Sequence, residues 1–186
     1  MQNKNSQNRE GVVALGKIII NGRSYNVLTE LYKSAGSVNQ VLTDKPIGNV
    51  EKRRRFFIVE RNGIKFWVKQ RLGLESMAYL TAEFFRLKKY DIIFMVDNII
   101  VRPVRAYEQD DNILLLEYLE GYTRATDYND KVLVVDFVQR WIKHSNIECF
   151  DAHMNNFLVK HEAGSIHIVL VDFELYADKS NKIRGL

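Results

Sequence analysis

Short apolar runs separated by polar turns occupy much of the first half of the chain. Residues 17–20 lead into Asn21-Gly22, and residues 55–60 and 64–69 flank a second turn that contains Asn62-Gly63. Asn-Gly between two apolar runs is typical of a tight β-hairpin, because both residues tolerate positive φ. The pattern therefore predicts two β-hairpins in this half.

The hydrophobic pattern changes to a helical period in two places. Residues 74–89 and 131–144 carry apolar side chains at spacings that place them on one helix face. The remaining patterns predict strands at 98–107, 112–118, 157–160 and 166–171, an acidic turn at 108–111 and a loop at 121–130. The chain is therefore expected to be α+β, with a β-rich first half.

Composition and charge narrow the class of protein only slightly. Hydrophobic residues make up 46% and charged residues 27% of the chain, which is ordinary for a globular protein. The net charge of +4 favours an anionic partner, such as a nucleotide, a phosphorylated glycan, an acidic membrane or a nucleic acid. The single cysteine, Cys149, excludes an internal disulfide and a cysteine-based zinc site. We expect residues 1–12 to form a loose tail and the protein to be cytoplasmic, because no apolar run is long enough to span a bilayer.

Three polar residues near the end of the chain are expected to converge. Asp151 and Asn156 lie between the second predicted helix and the strand at 157–160, and Asp172 directly follows the strand at 166–171. If these two strands form a hairpin, the three side chains lie at the same end of it. A carboxylate can orient a hydroxyl and accept its proton, while carboxylate and amide oxygens bind magnesium. This arrangement predicts a phosphotransferase.

The spacing of these residues is similar to that of a known superfamily. Asp151-x-His153-x-x-Asn156, followed by an apolar strand and Val171-Asp172-Phe173, resembles the catalytic and metal-binding loops of the protein-kinase-like fold. The pattern looks more like the small-molecule and sugar kinases of that superfamily, including aminoglycoside, choline and lipopolysaccharide-core heptose and Kdo kinases, than like ordinary protein kinases. The resemblance implies ATP and Mg²⁺ as cofactors. It implies that Asp151 acts as catalytic base or orients the acceptor hydroxyl, and that Asn156 and Asp172 bind Mg²⁺.

The same resemblance implies roles for residues in the first half of the chain. Lys69, at the end of the strand-like run 66–69, resembles the lysine that binds the nucleotide phosphates. In the family this lysine pairs with a glutamate on the following helix. Glu83 is the first choice for that glutamate and Glu75 is the second.

Two further segments resemble parts of a nucleotide site. Residues 114–121 are similar to the strand and hinge that contact adenine through the main chain, which implies Glu117 and Leu119 as backbone contacts. Gly36 stands where the family has a glycine-rich loop, and it is the one glycine of its segment. Because the sequence ends fourteen residues after Asp172, the expected enzyme is a pared-down kinase.

The resemblance implies a two-lobed protein-kinase-like fold. Residues 1–120 would form a β-rich nucleotide-binding lobe with one helix, and residues 121–186 a truncated second lobe. The leading hypothesis is transfer of the γ-phosphoryl group of ATP to a hydroxyl of a sugar or of a lipopolysaccharide core, in the cytoplasm or at the inner face of the membrane. The alternatives are a minimal protein kinase of the bacterial effector type and a pseudokinase that binds nucleotide without transfer. A nucleic-acid binder is least favoured, because no recognition motif is present.

Overall fold

A computed structural model describes residues 16–33, 42–43, 54–71, 76–147 and 154–173. The described residues form two β-sheets and two α-helices, so the predicted α+β class is confirmed. The strands are β1 (Gly16–Ile20), β2 (Arg23–Lys33), β3 (Leu42–Thr43), β4 (Arg54–Arg61), β5 (Ile64–Arg71), β6 (Phe94–Val96), β7 (Ile99–Pro103), β8 (Ala106–Asp110), β9 (Ile113–Glu117), β10 (Thr123–Arg124), β11 (Phe157–Glu162) and β12 (Ser165–Leu170). The helices are α1 (Ser76–Lys89) and α2 (Tyr128–His144), and a 3₁₀ turn covers Met154–Asn156.

Both predicted hairpins of the first half are present. β1 and β2 pair antiparallel across Asn21-Gly22, and β4 and β5 pair antiparallel across Asn62-Gly63. The φ angles are 46° and 73° in the first turn and 54° and 77° in the second. Positive φ at both central residues gives such a turn the same twist as its two strands. The Asn-Gly pairs therefore set the register of both hairpins.

The prediction of one strand at 98–107 is wrong. The chain forms β7 and β8 there, and these two strands belong to different sheets. Between them the Val104 amide donates to the carbonyl of Leu170 at 2.7 Å. The apolar pattern continues through this crossing because the chain is buried on both sides of it: Val104 and Ala106 are both buried. The apolar pattern carried no sign of the break, although Pro103, a residue that interrupts strand pairing, lies at the end of β7.

Other element boundaries also differ from the prediction. Residues 108–110 belong to β8 rather than to a turn, and the turn is at Asp111-Asn112. The predicted loop at 121–130 contains the two-residue strand β10 and the start of α2. The Asp127 carboxylate accepts a hydrogen bond from the Asp130 amide at 2.9 Å, which caps the first turn of α2. This cap explains why the helix begins before the apolar pattern does.

In the described residues, one sheet has seven strands and the other has five. The larger sheet has the order β1-β2-β4-β5-β9-β8, with β3 paired to β2. The smaller sheet has the order β10-β11-β12-β7-β6, and in it β12 runs parallel to β7. Strands from both sides of residue 120 thus meet in the smaller sheet, while the division of the chain at that residue stays a prediction.

The two faces of the larger sheet contact different neighbours. On β9, Ile113 and Leu115 belong to an apolar cluster formed within this sheet, whereas Leu114 and Leu116 belong to a cluster shared with both helices and the smaller sheet. This difference follows from the alternation of side chains along a strand. Lys69 is the register partner of Leu114. Because cross-strand partners point to the same face, Lys69 points toward α1 and the smaller sheet.

Large apolar side chains fill the shared cluster. Leu80 and Leu87 of α1, Trp141 of α2 and Phe157 of β11 are almost completely buried. Each such side chain contributes about 1.5–3 kcal/mol when it is removed from water. The indole of Trp141 also donates to the Ile92 carbonyl at 3.2 Å, which ties α2 to the segment after α1. No helix in the described ranges is long and apolar enough to cross a membrane.

Candidate functional site

Lys69 is a buried lysine in an interior strand of the larger sheet. Its side chain is 2% exposed, and Nζ lies 2.7 Å from Oε2 of Glu83 and 3.1 Å from Oδ1 of Asp172. Glu83, on α1, is itself 1% exposed. A buried ammonium is strongly unfavourable without a nearby negative charge. The two carboxylates are therefore what makes a lysine tolerable at this position.

Helix α1 connects the Lys69 strand to the segment that follows β12. Glu83 accepts a hydrogen bond from Lys69 through one oxygen and from the Phe173 amide, at 3.3 Å, through the other. Arg86, three residues later, donates to the Phe173 carbonyl at 3.2 Å. Residues three apart lie on the same side of a helix. One face of α1 thus holds both Lys69 and the residue next to Asp172.

Asp172 and Asn156 lie at the same end of the hairpin formed by β11 and β12. The Asn156 carbonyl accepts a hydrogen bond from the Val171 amide at 2.8 Å, and this contact extends the hairpin by one pair. Within the described ranges, no group of three His, Cys, Asp or Glu side chains could hold a metal ion. Asn156 and Asp172 line the cavity, and each could offer one oxygen to a metal ion. Two protein ligands fit Mg²⁺, which commonly keeps several waters and takes further ligands from bound phosphates.

A cavity of about 260 Å³ lies between the two sheets. Strands β4, β5 and β9 form one wall, and the smaller sheet with its adjoining segments forms the other. The lining residues are Phe56, Phe57, Trp67, Val68, Lys69, Leu116, Tyr122, Thr123, Arg124, Asn155, Asn156, Leu158, Val171 and Asp172. Most of these side chains are apolar or aromatic, and a few polar groups converge among them. This composition is typical of a site for a small ligand.

Glu117 and Leu119 do not belong to the set of described residues that lines the cavity. Both oxygens of Glu117 accept hydrogen bonds from the guanidinium of Arg102, at 2.6 and 2.9 Å. Leu119 is buried in the shared apolar cluster, and its carbonyl accepts a hydrogen bond from the Tyr122 amide at 3.4 Å. The implied contacts of Glu117 and Leu119 with adenine stay predictions.

The Arg102–Glu117 pair links the two sheets. Arg102 lies on β7 of the smaller sheet, and Glu117 is the last residue of β9 in the larger one. Burial lowers the pKa of Arg102, but the hydrogen bond and negative charge of Glu117, with a contribution from Tyr122, raise this pKa above its ordinary value. Two parallel N–H···O bonds also fix the relative orientation of the groups. The pair is a structural link between the sheets.

Several of the predicted site residues fall outside the described part of the chain. They are Asp151, Gly36 and Glu75. Three of the described site residues line the cavity: Lys69, Asn156 and Asp172. Glu83 is not among the described lining residues, but its carboxylate contacts Nζ of Lys69. The cluster therefore joins four of the residues that the sequence pattern singled out.

Other cavity residues were missed by the sequence pattern. Trp67 carried a usable signal, because it lies two positions before Lys69 and so on the same face of β5. Tyr122 and Arg124 carried no such signal, because a strand of two residues shows no periodicity. Their position depends on the pairing of β10 with β11.

Comparison with models of known protein families finds no match to this chain. Comparison with curated proteins likewise finds no significant match. The functional argument therefore rests on the contacts and charges around the cavity.

Proposed function

We propose that the protein is a phosphotransferase that uses ATP and Mg²⁺ and transfers the γ-phosphoryl group to a hydroxyl of a sugar or glycolipid. The observation that carries the proposal is the contact of buried Lys69 with both Glu83 and Asp172 at the wall of the cavity. These contacts hold a positive charge and a carboxylate side by side. A magnesium–phosphate complex needs both kinds of group.

Each residue of the proposed site would have its own role in phosphoryl transfer. The reaction depends mainly on positioning and on stabilisation of charge. Lys69 would bind phosphate oxygens as a point charge, and Glu83 would keep its ammonium in place. Asn156 and Asp172 would hold Mg²⁺, which neutralises phosphate charge when it is bound. Asp151 would orient the acceptor hydroxyl and accept its proton.

The apolar part of the cavity suits the base of a nucleotide. Trp67 and Leu116 line it from the larger sheet, and Leu158 lines it from the smaller one. A base between these walls would be removed from water while its phosphates extend toward Lys69. The proposal includes a two-lobed arrangement of the protein-kinase-like kind, with the nucleotide between the lobes.

The first test measures thermal stabilisation by ATP, with and without Mg²⁺. Asp172→Asn removes one charge with little change of shape, and Asp136→Asn is a matched control on the exposed side of α2, where Asp136 pairs with Arg140. We expect ATP with Mg²⁺ to raise the Tm of wild type and of Asp136→Asn. In Asp172→Asn the part of the increase that requires Mg²⁺ should disappear. A full magnesium-dependent increase in Asp172→Asn would remove Asp172 from the proposed site.

The second test measures transfer of radiolabelled γ-phosphate to glycans, glycolipids and proteins. Labelling of a sugar or glycolipid supports the proposal, and labelling of a protein alone supports a minimal protein kinase instead. Asp151→Ala should abolish transfer and leave binding of Mg²⁺-ATP nearly unchanged. Binding of Mg²⁺-ATP without transfer to any acceptor would indicate a pseudokinase.

A further inference from the structure

Arg124 is a second cation at the cavity, and its guanidinium has an unsatisfied donor. Its Nη1 atom is buried and has no hydrogen-bond partner among the described residues. Burial lowers the pKa of Arg124, and no charge among the described residues raises it again. This is the opposite of Arg102, where Glu117 outweighs the effect of burial. A buried donor without an acceptor is destabilising, and Arg124 is also one of the residues that line the cavity.

The pairing of β10 with β11 places Arg124 on the same face as Leu158. Arg124 is the register partner of Leu158, and Thr123 is the partner of Val159. Partners in an antiparallel pair point to the same face. Leu158 lines the cavity, and so does Arg124. Arg124 therefore borders the cavity beside Leu158, on the side of β11 away from β12.

We propose that Arg124 is an anion-binding residue of this cavity and contacts a phosphate or carboxylate oxygen of a bound ligand. Among the described lining residues, Lys69 and Arg124 are the two cations. Lys69 already contacts two carboxylates. Arg124 is therefore the cation that a ligand's negative charge would balance. A guanidinium can donate two parallel hydrogen bonds to a phosphate or a carboxylate.

Two ligands could supply the same anionic chemistry. One is the nucleotide of the proposed function, whose phosphates would then contact both Lys69 and Arg124. The other is an acceptor that itself carries a phosphate or carboxylate. β10 lies two strand spacings, about 10 Å, from β12, the strand that leads into Asp172. The choice between these ligands rests on the proposed function, whereas the anion-binding role of Arg124 does not.

The test uses inorganic phosphate as the probe and calorimetry as the measurement, with the full chain. The variants are Arg124→Gln and Arg124→Lys, and the matched control is Arg140→Gln, because Arg140 is exposed and pairs with Asp136. Wild type and Arg140→Gln should bind phosphate. Arg124→Gln should bind about tenfold more weakly, the effect of one charge-assisted hydrogen bond. The affinity of Arg124→Lys for phosphate should lie between these two, because lysine keeps the positive charge but cannot donate two parallel hydrogen bonds.

The stability of the ligand-free protein separates binding from a structural role. Because Nη1 has no described partner, Arg124→Gln should unfold at the same temperature as wild type or at a higher one. Equal phosphate affinity in wild type and Arg124→Gln overturns the proposal, whatever the Tm of the variant. Weaker binding by a variant that is as stable as wild type supports it.

Adenosine, AMP and ATP distinguish the two sources of the anion. If Arg124→Gln weakens AMP or ATP but not adenosine, Arg124 contacts a nucleotide phosphate. If ATP affinity is unchanged and phosphate binding to the ATP-saturated protein is weakened, Arg124 contacts the acceptor. If wild type binds phosphate through Arg124 but binds no ATP, the proposed function fails and the anion-binding role stands.

Discussion

Two ion-pair clusters connect distant parts of this protein, and they differ in what they border. Lys69 contacts Glu83 and Asp172 at the wall of the cavity. Arg102 and Glu117 form a forked pair between the two sheets, and neither belongs to the described residues that line the cavity. The resemblance implied nucleotide contacts for both Lys69 and Glu117. Burial of a charge therefore does not by itself place that charge at the cavity.

The charge balance of the two clusters differs as well. Among the described residues, the Lys69 cluster has one cation and two carboxylates, an excess of negative charge. The Arg102–Glu117 pair is neutral, and both carboxylate oxygens are already used by one guanidinium. The first cluster therefore has the charge balance that the proposed Mg²⁺ site needs, and the second holds the sheets together.

Lys69→Met should have the largest effect on this comparison. It leaves Glu83 buried without its ammonium partner, and loss of one partner of a buried pair costs about 3–5 kcal/mol. We expect the free energy of unfolding, measured in urea, to fall by that amount and ATP binding to be lost. In Lys69→Met/Glu83→Gln part of the stability should return without ATP binding. If Lys69→Met alone is as stable as wild type, buried Glu83 does not need the ammonium of Lys69.

Glu117→Gln tests the other cluster and should have an intermediate effect. The charge-assisted fork to Arg102 is lost, which should lower the free energy of unfolding by about 2 kcal/mol. Stabilisation by Mg²⁺-ATP should be retained, because Glu117 does not line the cavity. If ATP binding fails while stability is unchanged, Glu117 belongs to the ligand site and the contrast between the clusters breaks down.

Asp127 should show the smallest effect, because its charge is exposed and belongs to neither cluster. The hydrogen bond from the Asp130 backbone lowers the pKa of Asp127 below its ordinary value of 3.8. A lowered pKa in the folded state contributes stability above the unfolded pKa, and this contribution is lost as the pH falls through the folded value. Asp127→Asn keeps an N-cap that does not titrate.

The difference in Tm between wild type and Asp127→Asn should therefore be constant from pH 7 to about 5. Below about pH 4 the Tm of wild type should fall relative to that of Asp127→Asn, and calorimetric scans at several pH values measure this change. A difference that stays constant down to the lowest pH at which the protein folds would show that the cap is insensitive to charge.

Much of the secondary structure could be predicted because its signals are local. The Asn-Gly pairs specified two hairpins, and the helical period specified most of α1 and α2. The site was predictable in part for the same reason. Asn156 and Asp172 flank one hairpin, so its formation brings them to one end. The apolar pattern alone did not predict the crossing from β7 to β8, because an apolar run looks the same whether it stays in one sheet or passes to another. Pro103, at the end of β7, was the local signal for a strand end there.

The amino-acid sequence alone was sufficient to identify turns, helices and candidate charged residues, since each depends on neighbours along the chain. The partners of those charges depended on long-range packing. Lys69 meets Asp172 across 103 positions, Glu117 meets Arg102 of the other sheet, and Arg124 meets no described acceptor for its buried Nη1. Strand pairing between distant segments decides each of these outcomes, and many pairings are compatible with the same local pattern.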